Sequence, residues 1–308
     1  MALNRKTIAV IGALKLNMNL AREQPLLPGA NIEEGILPPK DKPTLEGITT
    51  ALAAYETFSD LSERSRSKWV PDVRMVSVIG RDDHTENIIA RVKEFGIGTE
   101  GIKIMPDKNT DVLFNVLTKS TGETKRDRIP NPATPACWTE EDFENAQSFG
   151  GDPKPDLIII STELEDKVFA KILTCLRIQS LSLLTLFKHI TYLVVHGKEE
   201  AERLSSDKFD KGSTYKCATK LIGWGVKNVV ITEGHERAWF MLGPLRNHHW
   251  DRFRFRDGIE KEYTDDERDR FTGTLAADLL VYAYQGKLAV EYMEMALMIA
   301  GKAVASTT

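Results

Sequence analysis

Five short apolar runs, TIAVIG at 7–12, MVSVIG at 75–80, DLIIIS at 156–161, YLVVHG at 192–197 and NVVITEG at 228–234, each stop at a glycine or a polar residue. A strand with one face in water alternates apolar and polar residues. Runs without that alternation belong in strands buried on both faces, the usual condition of a parallel sheet covered by helices. The intervals between the runs are long enough for the crossover connections that parallel strands require. Helical patterns fall at 45–61 and 85–95. Two further helices are expected between 275 and 306, joined near Gln285-Gly286, where Ala, Leu, Met and Tyr dominate. The fold class is therefore α/β, with a central, mostly parallel sheet and helices on both faces.

Between these elements, residues 26–43 are rich in Pro and Gly, while 111–116 and the residues before Arg128 read as extended strands outside the main sheet. A small β lid from about 14–43 and 110–128 is expected, on a single domain spanning 1–308. The stretch DGIEKEYTDDERDR at 257–270 is a dense charged patch and reads as a solvated loop.

Composition narrows the function classes. With 42% hydrophobic and 28% charged residues a sizeable core is available. A net charge of −4 supplies no general attraction for phosphate backbones or anionic bilayers, so no nucleic-acid or membrane partner is expected. The longest apolar stretches, 181–187 and 296–300, are too short to cross a bilayer. Cys137, Cys175 and Cys217 are odd in number and widely spaced, which suits a reduced, cytoplasmic compartment better than a disulfide framework or a zinc site. The adjacent His248 and His249 diverge on any regular element, and Trp224, Trp239 and Trp250 read as packing residues.

The order of the runs, and the residues at their ends, resemble the PfkB carbohydrate kinases and ribokinase in particular, over nearly the whole chain. IAVIGALKLNMNL is similar to the opening VVGSINxDxxL. MVSVIGRDDHTENIIARVKEFGIGTEGI is similar to GxxGDDxxGxxxxxxLxxxGVxTxxI and is the most specific match. IPNPATPACWTEEDF, DLIIISTELE, ITYLVVHGKEEAERL and NVVITEGHERAWF follow in the family's order, and DRFTGTLAADLLVYAYQGK stands where DTTGAGDxFxxxLxxxLxxGK belongs. The stretch RIQSLSLLTLFKHI, 177–190, departs from the family's strand and loop at that point.

The resemblance implies ATP-dependent transfer of a phosphoryl group to a sugar hydroxyl with magnesium, and allows a homodimer through the lid. In the family a GAGD turn at a helix N-terminus supplies backbone N–H groups for the transferred phosphate, and its Asp is the base. Here Gly273 and Thr274 remain, in what is expected to be a turn before a helix, while Leu275 and Ala276 stand at the second Gly and the Asp. Asp278 is the nearby carboxylate. It serves as base only if the helix begins later than in the family; otherwise it is a solvent-facing or capping residue.

On the nucleotide side, the family's TxGxxG strand end keeps Thr232 and Gly234, with Arg237 at the second Gly. The NxxE motif becomes His196 to Glu199, and Glu199 is carried over as a nucleotide and magnesium residue acting through metal-bound water. Its ordinary reading is a first-turn carboxylate favoured by a helix dipole. On the sugar side, GGKGANxAxxxA aligns with TLEGITTALAA, which keeps Gly47 but has Glu46 at the Lys and Thr49 at the Asn. Asn17 stands at a sugar-binding Asp, and Glu163 lies at the strand end where the family has QLE. The resemblance thus implies a sugar kinase with an altered site. The eroded GAGD turn favours a non-catalytic binding or scaffold protein instead, and the Gly273-Thr274 pair is shared with pyridoxal-type kinases.

Overall fold

A computed structural model describes residues 4–22, 36–37, 43–64, 69–122, 124–128, 131–143, 146–160, 168, 171–172, 191–197, 200–202, 213–243, 249–254, 263–284 and 290–305. In chain order the strands are β1 (Asn4–Ile11), β2 (Lys15–Arg22), β3 (Ile36–Leu37), β4 (Thr44–Glu46), β5 (Trp69–Gly80), β6 (Gly98–Met105), β7 (Val112–Thr118), β8 (Thr124–Arg128), β9 (Leu157–Ile160), β10 (Tyr192–His196), β11 (Asn228–Glu233), β12 (Arg237–Leu242) and β13 (His249–Arg254). The long helices are α1 (Thr49–Arg64), α2 (Thr85–Glu94), α3 (Ser213–Gly223), α4 (Asp265–Tyr284) and α5 (Val290–Ala305). All five apolar runs are strands, namely β1, β5, β9, β10 and β11.

The first sheet has the order β6-β5-β1-β9 and every pairing in it is parallel. Its side chains divide cleanly between two cores because successive residues of a strand point to opposite faces. Ile8 and Val10 of β1, Val73, Met75 and Ile79 of β5, and Leu157 and Ile159 of β9 enter one core with α1. Ala9, Ile11, Val76, Val78, Ile158 and Ile160 enter the other, with Trp138, Phe143 and Phe149. Two-sided burial is why these runs carry no polar alternation.

A second sheet has the order β10-β11-β12-β13, parallel between β10 and β11 and antiparallel beyond. Val230, Ala238 and Phe240 face α4 and α5, while Val229, Ile231 and Met241 face α3. Among the described residues no strand links β9 to β10; most of 161–190, including the 177–190 departure, lies outside them.

A third sheet, β3-β2-β7-β8 with β4 paired to β2, takes its strands from residues 15–46 and 112–128. The turn that feeds it is fixed at the end of β5. There Asp82 accepts the Thr110 N–H at 2.6 Å, the Thr110 hydroxyl at 2.9 Å and the His84 N–H at 3.0 Å. Burial alone would raise the Asp82 pKa, but these hydrogen bonds from Thr110 and His84 hold it below the usual carboxylate value.

Helix α4 is apolar nearly all round in its central turns, and it lies between two cores rather than on one. Phe271, Leu275 and Leu279 pack under the second sheet with α5, and Ala277 and Val281 pack under the first with α1. Phe58 of α1 and Phe271 of α4 are both fully buried, each worth roughly 1.5–3 kcal/mol by area. The two helices approach closely through small residues: a Cβ on Gly273 would sit 2.2 Å from the Thr50 carbonyl oxygen and 3.1 Å from the Ala53 Cβ.

Two sequence expectations need correction here. The charged stretch is not simply a solvated loop, since Asp265 to Arg270 form the first turns of α4. Gly273 does not lie in a turn before a helix. It is inside α4, where its lack of a side chain serves the contact with α1.

Candidate functional site

In open α/β sheets, ligands sit beyond the carboxyl ends of the parallel strands. At that edge the chain brings together the end of β1, the Gly47 turn before α1, the ends of β10 and β11, and the N-termini of α1 and α4. Gly47 has φ +80° and would place a Cβ 1.8 Å from the Ala13 carbonyl oxygen, so this turn rests directly on the residues that follow β1. The helix N-termini meet where the Thr49 hydroxyl donates to Asp266 Oδ1 at 3.1 Å. Farther along, Arg270 pairs with Glu56 at 3.2 Å and the Thr57 hydroxyl reaches Thr274 Oγ1 at 3.4 Å.

The start of α4 has a definite local cause. Thr264 N–H donates to Glu267 Oε2 at 2.7 Å and Glu267 N–H donates to Thr264 Oγ1 at 3.3 Å, a reciprocal capping box spelled T-x-x-E. His235 Nε2, in the turn after β11, lies 3.2 Å from the same Glu267 carboxylate. Burial would raise the Glu267 pKa, but the Thr264 and His235 contacts hold it below the usual value. The first turn of α4 therefore presents Asp265, Asp266 and an ionised Glu267. Carboxylates there stabilise a helix through its dipole and oppose an incoming phosphate. The TDDE signal was present in the sequence, hidden within a run read only for its charge.

Strands β10 and β11 place His196 opposite Thr232 in register. The His196 ring bridges two hydroxyls, with Nδ1 3.2 Å from Thr232 Oγ1 and Nε2 2.8 Å from Thr272 Oγ1 on α4. Neutral imidazole offers one donor and one acceptor, and each hydroxyl can answer either. Burial, with repulsion from Arg268, pushes the His196 pKa down to about 4, so the ring is neutral at pH 7. His196 N–H donates to Glu200 Oε2 at 2.6 Å. Gly234 keeps a left-handed φ of +55°, whereas Arg237 is bound to Glu233 and Glu236.

Asp278 occupies the middle of α4 at 0% exposure, and neither carboxylate oxygen has a hydrogen-bond partner among the described residues. Burial pushes its pKa up to about 7. It is neither a solvent-facing nor a capping residue. Thr274 is 2% exposed and shares the helix interior with Gly273.

Near the start of β2, Asn17 Nδ2 donates to Glu46 Oε1 at 2.7 Å, and Asn115 Nδ2 donates to Asn17 Oδ1 at 2.6 Å and to Asn19 Oδ1 at 3.0 Å. Asn115 is a residue the sequence reading missed; only the pairing of Asn19 with Asn115 across β2 and β7 brings it to Asn17. The structure thus gathers Asn17 with Glu46 around the Gly47 turn, and Thr232 with Gly234, but sets Gly273, Thr274 and Asp278 inside α4. Glu163 and Glu199 lie outside the described residues. Among the described residues no group of three or more His, Cys, Asp or Glu side chains is arranged to hold a metal ion.

Residues 65–253, more than half of the chain, match the model of the pfkB family carbohydrate kinase. The chain belongs to the pfkB family of carbohydrate kinases. Its fold is that of ribokinase. The Thermotoga maritima ribokinase superposes with a TM-score of 0.65 at 21% identity, covering 97% of this chain and 92% of that one. The Arabidopsis thaliana ribokinase complexed with ribose and ATP gives 0.65 at 13% identity, covering 99% and 98%. The Cryptococcus neoformans ribokinase in complex with ADP gives 0.57 at 14%, covering 96% and 93%. No curated protein matches the sequence. No helix among the described residues is long and apolar enough to cross a membrane.

Proposed function

We propose that this pfkB family protein binds ATP and a small sugar at the carboxyl edge of its sheets and transfers the phosphoryl group slowly or not at all. The observation that carries this reading is the start of α4 at Thr264–Asp265, which leaves Gly273 and Thr274 within the helix. Their N–H groups belong to helical turns, and no glycine N–H in that segment is left at a helix N-terminus to receive a transferred phosphate. Asp278, the candidate base, is fully buried, and its raised pKa keeps much of it protonated at neutral pH.

The described residues fit a nucleotide in part. Gly234 retains the left-handed turn that permits close approach of phosphates, while the Thr232 hydroxyl is buried against His196 Nδ1, and the solved ribokinases with ATP or ADP support nucleotide binding here. The acidic first turn of α4 does not fit a γ-phosphate. Magnesium would accompany the nucleotide, with Glu199 the residue assigned to it by resemblance. Asn17, Gly47 and Glu163 are the corresponding sugar positions, with the third sheet acting as the lid of a single domain.

Calorimetric titration with ATP–magnesium, and then with a panel of pentoses, tests the reading. Binding of ATP–magnesium that weakens in a folded Gly234→Val variant supports it. Absence of any heat with ATP–magnesium contradicts it.

A further inference from the structure

We propose that the amino edge of the first sheet carries a second ligand site, a cleft that binds a basic α-amino acid by pairing its carboxylate with Arg5 and its ammonium with Asp72. It lies at the opposite end of the strands from the Gly47 turn.

A cleft of roughly 620 Å³ opens where β1, β5 and β6 begin. Its floor is an ion pair between Arg74, 3% exposed, and Asp72, 8% exposed, 2.6 Å apart. Arg74 spends its donors on Asp72 and on the carbonyls of Gly151, Asp152 and Pro153. Asp72 is used unevenly. Its Oδ2 takes the Thr7 hydroxyl at 2.8 Å, Nε and Nη2 of Arg74, and Arg5 Nε at 3.0 Å. Its Oδ1 takes no hydrogen bond from any described residue, and unlike the Asp278 oxygens it is not sealed from solvent. Burial alone would raise the Asp72 pKa, but the contacts with Arg74, Thr7 and Arg5 hold it below the usual carboxylate value, so Oδ1 belongs to an ionised group. Arg5 is 52% exposed, and its two Nη nitrogens have no partner among the described residues.

The charges lining the cleft balance, with Arg5, Arg74 and Lys93 set against Asp72, Glu100 and Asp152. Lys6, the next residue along β1, is paired with Asp156 at 2.8 Å. A phosphate or other simple anion therefore meets no net attraction here. What stands unspent is a guanidinium edge beside a carboxylate oxygen, the complement of a carboxylate and an ammonium held on one carbon. A guanidinium takes a carboxylate through two parallel bonds, and charge-assisted bonds are stronger than those a neutral hydroxyl would make. Beyond that pair the cleft offers two carboxylates, Glu100 and Asp152, to the single ammonium of Lys93, which favours a positive side chain on the ligand.

The experiment is isothermal titration of the full chain with L-arginine and with agmatine, the same molecule without its carboxylate, for the native protein, Arg5→Gln and Asp72→Asn. The native protein is expected to bind L-arginine at least about tenfold more tightly than agmatine. Arg5→Gln should erase that preference, and Asp72→Asn should weaken both ligands by about tenfold. Asp72 is a buried partner of Arg74, so if Asp72→Asn fails to fold, the half-exposed Arg5→Gln decides alone, its fold checked by circular dichroism.

No binding of L-arginine by the native chain, equal affinity for agmatine, or a preference that survives Arg5→Gln overturns the inference. A preference for L-arginine that disappears in a folded Arg5→Gln protein supports it.

Discussion

Gly273 meets Thr50 so closely that a methyl group added to the glycine would lie 2.2 Å from the Thr50 carbonyl oxygen. This contact seats α4 directly on α1. A glycine at a helix N-terminal turn would answer to phosphate geometry. One inside a helix crossing answers to packing.

Gly273→Ala separates the two. In an open helix interior the change would stabilise by roughly 1 kcal/mol through propensity. Here overpacking against backbone should outweigh that gain and destabilise by about 1–3 kcal/mol. Urea denaturation of the two proteins measures the difference, and a stabilised Ala variant would place Gly273 away from α1.

The capping box predicts that Thr264→Ala costs about 1 kcal/mol, because Glu267 N–H loses its acceptor. The check is chemical denaturation together with the loss of helical far-ultraviolet signal. If the helix began at Gly273 instead, Thr264 would lie in a loop and its truncation would leave stability unchanged.

Much of the fold was legible because the five strands pack apolar side chains on both faces, and a run such as VVITEG has few alternatives. The start of α4 was not legible from charge. Asp265, Asp266 and Glu267 look like a solvated patch until Thr264 is recognised as reciprocating with Glu267. The site was legible on one side only. Thr232 and Gly234 sit on a strand end that local sequence defines, whereas the link from Asn17 to Asn115 depends on parallel pairing between strands almost a hundred residues apart, which no local pattern encodes.

Asp278 and His196 impose opposite pH dependences. Burial pushes the Asp278 pKa from 3.8 up to about 7. Between those values the unfolded chain loses a proton that the native chain keeps, so stability falls as pH rises through the window and levels off above it. Asp278→Asn should therefore stabilise the protein at pH 7.5, by an amount on the order of a few kcal/mol, and leave it little changed near pH 4. Thermal melts at the two pH values measure it.

His196 behaves in reverse. Burial, then repulsion from Arg268, pushes its pKa from 6.5 down to about 4. Its contribution is fully present above pH 6.5 and is lost as pH falls toward 4, because the unfolded imidazole takes up a proton that the native one does not. His196→Asn should flatten the acid limb of the stability profile, again by an amount on the order of a few kcal/mol. An acid limb unchanged by this substitution would assign it to other groups.

The position of the catalytic turn is tested most directly by turnover. ATP-dependent ADP formation should be followed with a pentose panel, for the native chain and for Asp278→Ala, under conditions where calorimetry shows ATP–magnesium bound. Loss of a positioned base and of an anion-hole donor each reduces rate by roughly 10²-fold or more. The predicted result is bound nucleotide with pentose-dependent turnover at or near background in both proteins. Robust pentose-dependent ADP formation by the native chain, insensitive to Asp278→Ala, would contradict the account and require an N-terminal turn at Gly273.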